Sequence, residues 1–270
     1  MDRVLVVSSA TPVLIRSEQS LWPATDDQRS RVDWGLVQYE GSEALCLKES
    51  AARPGSVGQR ALSQWDRAVY HSLFAASSTD SSRRDLSRQG PYVREMAGHH
   101  HFFLHEGRLP GIEETYRFPL GSFSPLGESD SERAFCALLS RNQIIWKDGR
   151  PERIVRLSIV TDFASRIAPL GAAPFIYSDG DYLYVHSDRR LIDGAVRPGF
   201  YVLETNTRHA LKDVTLQSSD AAPLVLISDR PLSDGEWRPM SDGEVLMIRQ
   251  GEVVDHCKPL EILEEEFMED

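Results

Sequence analysis

The chain has 270 residues, 41% apolar and 26% charged, an ordinary balance for a globular protein. A chain of this length buries most of its unfolded surface, which excludes the small scaffolds that need disulfides or metal to fold. Its 41 acidic residues outnumber 30 basic ones, and a net charge of −11 excludes a general attraction for nucleic acid or anionic lipid.

Three cysteines, Cys46, Cys136 and Cys257, are widely spaced and odd in number. They argue against a disulfide framework and for a reducing compartment. No apolar run approaches 18 residues, and the first residues lack a charged-then-apolar signal. The expectation is a cytoplasmic protein without a membrane span. Six of the last ten residues are acidic. Residues 261–270 therefore read as an acidic tail behind a single domain over 1–260.

The first element is a valine-rich strand over residues 3–8. Residues 34–39 and 43–48 flank Glu40-Gly41-Ser42 as a hairpin. Residues 50–58 read as a loop, 68–74 as a strand, 77–90 as a polar loop and 100–105 as a strand. Then the periodicity changes. Ala134, Phe135, Leu138 and Leu139 recur at helical spacing over 129–141, behind an acidic start with Ser129 as cap. Residues 151–168 form a second helix with Pro151 in its first turn. Asp179-Gly180 joins two strands, 174–177 and 182–186, as a hairpin. Further strands fall at 199–204, 223–228, 244–249 and 252–255. Strands, two helices, then strands predict an α+β fold with a largely antiparallel sheet.

Local chemical motifs are sparse. No glycine-rich phosphate loop, HExxH or CxxC occurs, and no cofactor is implied. His99, His101 and His105 would share one face of a strand, as zinc ligands can, but no carboxylate or cysteine completes a ligand set. Cys46 and Cys136 lie in apolar settings and read as packing residues.

A longer ordered series is more informative. It runs through Asp33-Trp34-Gly35, His71, Pro91-Tyr92, His105-Glu106-Gly107-Arg108-Leu109 and Gly127-Glu128-Ser129-Asp130-Ser131-Glu132. It ends on Tyr177-Ser178-Asp179-Gly180 and a late stretch from Ile227 to Glu244. In order and spacing the chain resembles the class II glutamine amidotransferases, especially their stand-alone bacterial members. That resemblance implies the N-terminal-nucleophile hydrolase fold, a four-layer αββα sandwich with two mainly antiparallel sheets between helices.

The resemblance also implies a chemistry that this chain departs from. The family's nucleophile is a cysteine following the initiator Met, with its own α-amine as base. Here that position is Asp2. The family's His-x-Arg motif, whose Arg clamps the glutamine α-carboxylate, is matched by His71-Ser72-Leu73, and leucine offers no donor. The oxyanion element Asn-Gly is matched by Glu106-Gly107, where a carboxylate replaces an amide donor worth about 3–4 kcal/mol in the transition state. Trp34, Gly35 and Asp130 match the remaining substrate-binding positions, Asp130 that of the acid holding the α-amino group. Each has a plainer reading. Asp2 is then an exposed terminus, Trp34 core, Glu106 a solvent-facing loop residue, and Asp130 acidic charge in a helix's first turn.

Three functional readings follow. The favoured one is a degenerate amidotransferase domain that binds a small amino-acid-like ligand, or a synthetase or other protein, and regulates. The second is altered chemistry in the same cleft, using Asp2, Glu106 and Asp130. The third is residual hydrolysis of glutamine or a γ-glutamyl amide, after an internal cleavage exposing Ser8 or Ser9. The ligand, the partner and the oligomeric state are not readable.

Overall fold

A run such as Val4-Leu5-Val6-Val7 is apolar at every position, so it suits a strand whose two faces are both covered. In the computed structural model Val4 and Val6 enter the core between two sheets, while Leu5 and Val7 enter a separate cluster on the outer face. The described residues are 3–17, 31–40, 43–52, 56, 60, 68–79, 86, 89–114, 116–192, 194–211 and 214–258.

In chain order they form β1 (Arg3–Ser17), β2 (Arg31–Glu40), β3 (Glu43–Ala52), β4 (Ala68–Thr79), β5 (Tyr92–Met96) and β6 (His99–His105). Two helices follow, α1 (Asp130–Trp146) and α2 (Arg153–Ile167). The chain then returns to strands: β7 (Phe175–Ser178), β8 (Leu183–His186), β9 (Arg190–Ile192), β10 (Ala195–Arg197) and β11 (Tyr201–Asn206). The last are β12 (Val214–Gln217), β13 (Pro223–Ser228), β14 (Arg238–Pro239), β15 (Val245–Arg249) and β16 (Glu252–Cys257).

One sheet has the order β14-β11-β13-β1-β4-β2-β3, with β12 also on β1; the second runs β16-β15-β8-β7-β6-β5. The pairings within both are antiparallel. The fold is α+β, two sheets face to face. Period-two alternation sorts the second sheet's side chains. Phe102, Leu104, Ile176, Leu183, Val185 and Leu246 face the first sheet. Phe103, Phe175, Tyr177, Tyr184, Val245 and Met247 face α1 and α2. Helices α1 and α2 cover that outer face.

Most predicted strands extend further than expected. The first runs on to Ser17, past a bulge between Ser8 and Val13. Residues 50–52 and 77–79, expected to be loop, belong to β3 and β4. Strand β5 is an addition. It joins β6 through Ala97-Gly98, both at positive φ, and Ala97 carries none of the usual Asn or Asp signal for such a turn. The acidic tail at 261–270 lies outside the described residues, as does Asp2.

No helix among the described residues is long and apolar enough to cross a membrane.

Candidate functional site

The stretch from Gly127 to Phe135 ties two loops to the start of α1. Ala134 and Phe135 point from α1 into the helical core. Glu132 is buried, and its Oε2 accepts the N–H groups of Leu126 and Gly127 while Arg94 pairs with Oε1. One side chain thus folds the preceding loop back over the helix start. Asp130 ties down a second loop: Oδ2 accepts the Leu109 N–H at 2.7 Å and Oδ1 the Ser131 N–H at 2.8 Å. Ser129 stands at the N-cap without capping the helix; its hydroxyl meets the Tyr92 hydroxyl instead.

These loops wall a cleft of about 890 Å³. Its other wall is the end of β4, Ala75, Ala76 and Ser77, with Asp33 from β2 and Gln89-Gly90 before β5. Arg3 pairs with Ala76, so β1 starts at the cleft's edge. The Asp229 carboxylate accepts the Val4 N–H at 2.9 Å and anchors that start. Five carboxylates (Asp33, Glu106, Glu113, Glu128, Asp130) and two guanidinium groups (Arg108, Arg133) line the cleft.

Glu106 and Gly107 follow β6 directly into this wall. His105 holds the turn. Its Nε2 lies 3.0 Å from the Ala172 carbonyl and its Nδ1 2.9 Å from Ser131 Oγ. The carbonyl accepts only from N–H, so the proton sits on Nε2 and the serine hydroxyl donates to Nδ1. Burial lowers the pKa of this imidazole. Gly107 has φ +140°, and a Cβ there would lie 2.4 Å from the Ala172 oxygen. A Gly107→Ala variant is therefore expected to lose about 2–4 kcal/mol, from backbone strain plus the clash. Urea denaturation measures it; an unchanged midpoint contradicts this account of the turn.

The structure separates the residues matched by resemblance. Glu106, Gly107 and Asp130 come together in the cleft. Leu73 does not: it is fully enclosed between the sheets. His71 is half-buried and pairs with Ser8, four to six residues from the cleft end of β4, about 13–20 Å along the strand. Burial pushes its pKa down to about 4. Strand β4 instead presents Ala75-Ala76-Ser77 to the cleft, and neither triplet contains an arginine.

Trp34 is buried in the outer core, with its indole N–H on Glu49. Gly35 serves packing, since a Cβ there would stand 2.4 Å from Pro91 Cδ. Cys46 and Cys136 are apolar packing residues whose thiols burial pushes up. His99 and His101 pack their rings on Trp146, and His101 Nδ1 meets the Tyr177 hydroxyl at 2.8 Å. Among the described residues no three His, Cys, Asp or Glu side chains are grouped to hold a metal.

The class II glutamine amidotransferase family model matches residues 3–268, nearly the whole chain. The chain belongs to this family.

Among its relatives is YafJ of Escherichia coli K12, named as a candidate glutamine amidotransferase, 24% identical over 76% of this chain and 83% of that protein. The uncharacterised protein MJ1515 of Methanocaldococcus jannaschii is 31% identical over 58% of this chain and 42% of its own length. The crystal structure of a predicted glutamine amidotransferase from Pseudomonas aeruginosa PA01 superposes with TM-score 0.66 and 22% identity, covering 93% of this chain and 99% of that one. The glutamine phosphoribosylpyrophosphate amidotransferase of Bacillus subtilis matches with TM-score 0.55 and 14% identity, over 92% of this chain and 47% of that one. At such identities these structures share the fold.

Ser77 in this cleft was missed by sequence reasoning. It sits in a stretch read as polar loop, and only the third dimension brings it to the wall.

Proposed function

We propose that this amidotransferase-family chain no longer hydrolyses glutamine and acts by binding a small ligand in the inherited cleft, in the service of a synthetase or another protein. The observation that carries this reading is Glu106 beside Gly107 on the cleft wall. A carboxylate accepts hydrogen bonds and repels a developing oxyanion, the opposite of what an amide donor there supplies. Two further features agree. The residue before β1 is Asp2, where the family has its thiol. The end of β4 offers Ala75, Ala76 and Ser77 in place of a guanidinium.

The test is direct. Purified protein incubated with glutamine or γ-glutamyl amides is expected to release no ammonia above the buffer rate. The Asp2→Cys variant is expected to stay equally inactive, because the thiol alone restores neither the oxyanion donor nor the anion clamp. Robust ammonia release from that variant overturns the reading.

Altered chemistry in the same cleft is the second reading, favoured by Glu106 and Asp130 lining one wall. Interacting carboxylates can divide into acid and base roles. Turnover of an amide other than glutamine distinguishes it. Cleavage before Ser8 or Ser9 is disfavoured by their setting, since both are fully buried inside β1 and Ser8 Oγ accepts the Gly251 N–H.

A further inference from the structure

Strands β9 and β10 form a two-stranded arm outside both large sheets. Residues 189–197 carry three arginines and one aspartate. Arg190 and Arg197 stand directly opposite each other in the arm's register, so their side chains leave one face. Like charges so placed repel. Arg190 Nη2 donates to the Asp229 carbonyl at 3.1 Å, which holds the arm beside the start of β1. Arg189 and Arg197 are exposed, and no carboxylate among the described residues pairs with either. The neighbouring Asp188 is buried, its oxygens taken up by the N–H groups of Ala173 and Arg189. A chain of net charge −11 thus keeps a cationic face here.

The acidic end of the chain starts close to it. Cys257 pairs with Val245, and Val245 with His186. Two strand spacings and three residues therefore separate Cys257 from Arg189, about 20 Å at most. Lys258 lies near enough to the Glu244 carboxylate to act on its charge. The Glu244 carbonyl in turn accepts the Ser187 N–H at 2.9 Å, two residues before Arg189. Residues 259–270 hold six carboxylates and no Lys or Arg. Fully extended, a segment of that length spans about 40 Å, twice the gap. Most of an acidic surface repels it, and the arm attracts it.

We propose that residues 261–270 dock on the arginine face of this arm within the same chain, with Arg189 and Arg197 as the pairing groups. The seat adjoins the start of β1 at the cleft's edge, so the docked segment stands near the mouth of the cleft. The contact does not depend on what the cleft binds.

The experiment is digestion of the full chain by a Glu-specific protease, read by intact mass, beside a free peptide of residues 259–270. At low salt the segment is expected to be cut about fivefold or more slowly in the protein, the combined effect of several exposed ion pairs. Sodium chloride at about 0.5 M is expected to remove most of that protection, because it screens exposed charges. The double variant Arg189→Glu, Arg197→Glu is expected to remove it at low salt. Protection that survives both salt and charge reversal comes from tethering to a folded body and overturns the proposal, as does equal cutting of protein and peptide.

Should the double variant not fold, Arg197→Lys decides. A carbodiimide joins the introduced amine to a carboxylate it touches, and the product is expected to link it to residues 261–270. In a mixture of unlabelled and nitrogen-15 chains the link is expected within one chain. Links only between light and heavy chains, or none to that segment, overturn the proposal.

Discussion

Acidification from pH 7 towards pH 4 is expected to destabilise this protein by several kcal/mol, with most of the loss above pH 4.5. His101, His105 and His186 are buried at 0%, 7% and 1% exposure, and His71 is half-buried. Burial lowers the pKa of all four, to about 4 for His71, His101 and His186, against the weaker opposing pull of Asp181 near His71, of Asp179 near His101 and of Asp188 near the other two. Above an unfolded value of about 6.5 neither state binds the proton, and the histidines leave stability untouched. Between there and about 4 the unfolded chain takes up protons that the folded chain refuses. His71, His101 and His186 then each remove up to about 1.4 kcal/mol per pH unit, so these three together remove about 4, and His105 acts in the same direction. Two such units remove about 8 kcal/mol, a large part of the about 5–15 kcal/mol by which a domain is stable. Asp229, whose carboxyl burial pushes up, works in the opposite sense, but only near the carboxylate range. Urea midpoints measured from pH 7 to pH 4.5 check this, and a flat profile contradicts it. His186→Asn keeps a donor for the Ala173 carbonyl at 2.8 Å but cannot titrate. It is expected to reduce the slope by one histidine's share, up to about 1.4 kcal/mol per pH unit.

Replacing Arg156 by methionine is expected to cost about 3–5 kcal/mol. The guanidinium is 6% exposed, and Nη1 lies 3.2 Å from both Asp179 Oδ2 and Asp181 Oδ2. Its Nε donates to the Pro151 carbonyl, and its plane lies against Trp146 and Tyr182. Asp179 is 2% exposed and would keep only the Tyr184 hydroxyl and the N–H groups of Asp181 and Tyr182. An uncompensated buried carboxylate is the source of the penalty. Lysine is expected to recover only part of it, since an ammonium can neither fork nor stack. Arg150 reaches the same Asp181 at 3.4 Å but is 48% exposed. Arg150→Ala is expected to change stability by less than about 1 kcal/mol. Equal losses in the two variants would show that the buried cluster has no special weight.

How much was legible follows from what each signal depends on. Strands β1, β13 and β15 were readable because both their faces are buried, which gives them runs that are apolar residue after residue. The two helices were readable because one face of each meets the second sheet. The hairpin at Asp179-Gly180 was readable because Asp179 Oδ1 holds the turn through local N–H groups. The resemblance to the family was readable because Asp130, Ser131 and Glu132 stand together in the sequence, and all three side chains bond to neighbouring segments. Strand β5 was hidden, because Ala97 takes a left-handed conformation without a residue that announces it.

Fold class and the helix pair follow from residue order alone, since each depends on neighbours a few positions apart. Which β4 residues reach the cleft does not. A slip of four residues keeps the alternation of faces but exchanges the enclosed Leu73 for Ser77 at the wall. The Ser131–His105 hydrogen bond and the excess of carboxylates around it exist only once β4, the loop after β6 and the start of α1 converge. Pairings between residues distant along the chain leave no periodic trace in it, so only the assembled structure decides them.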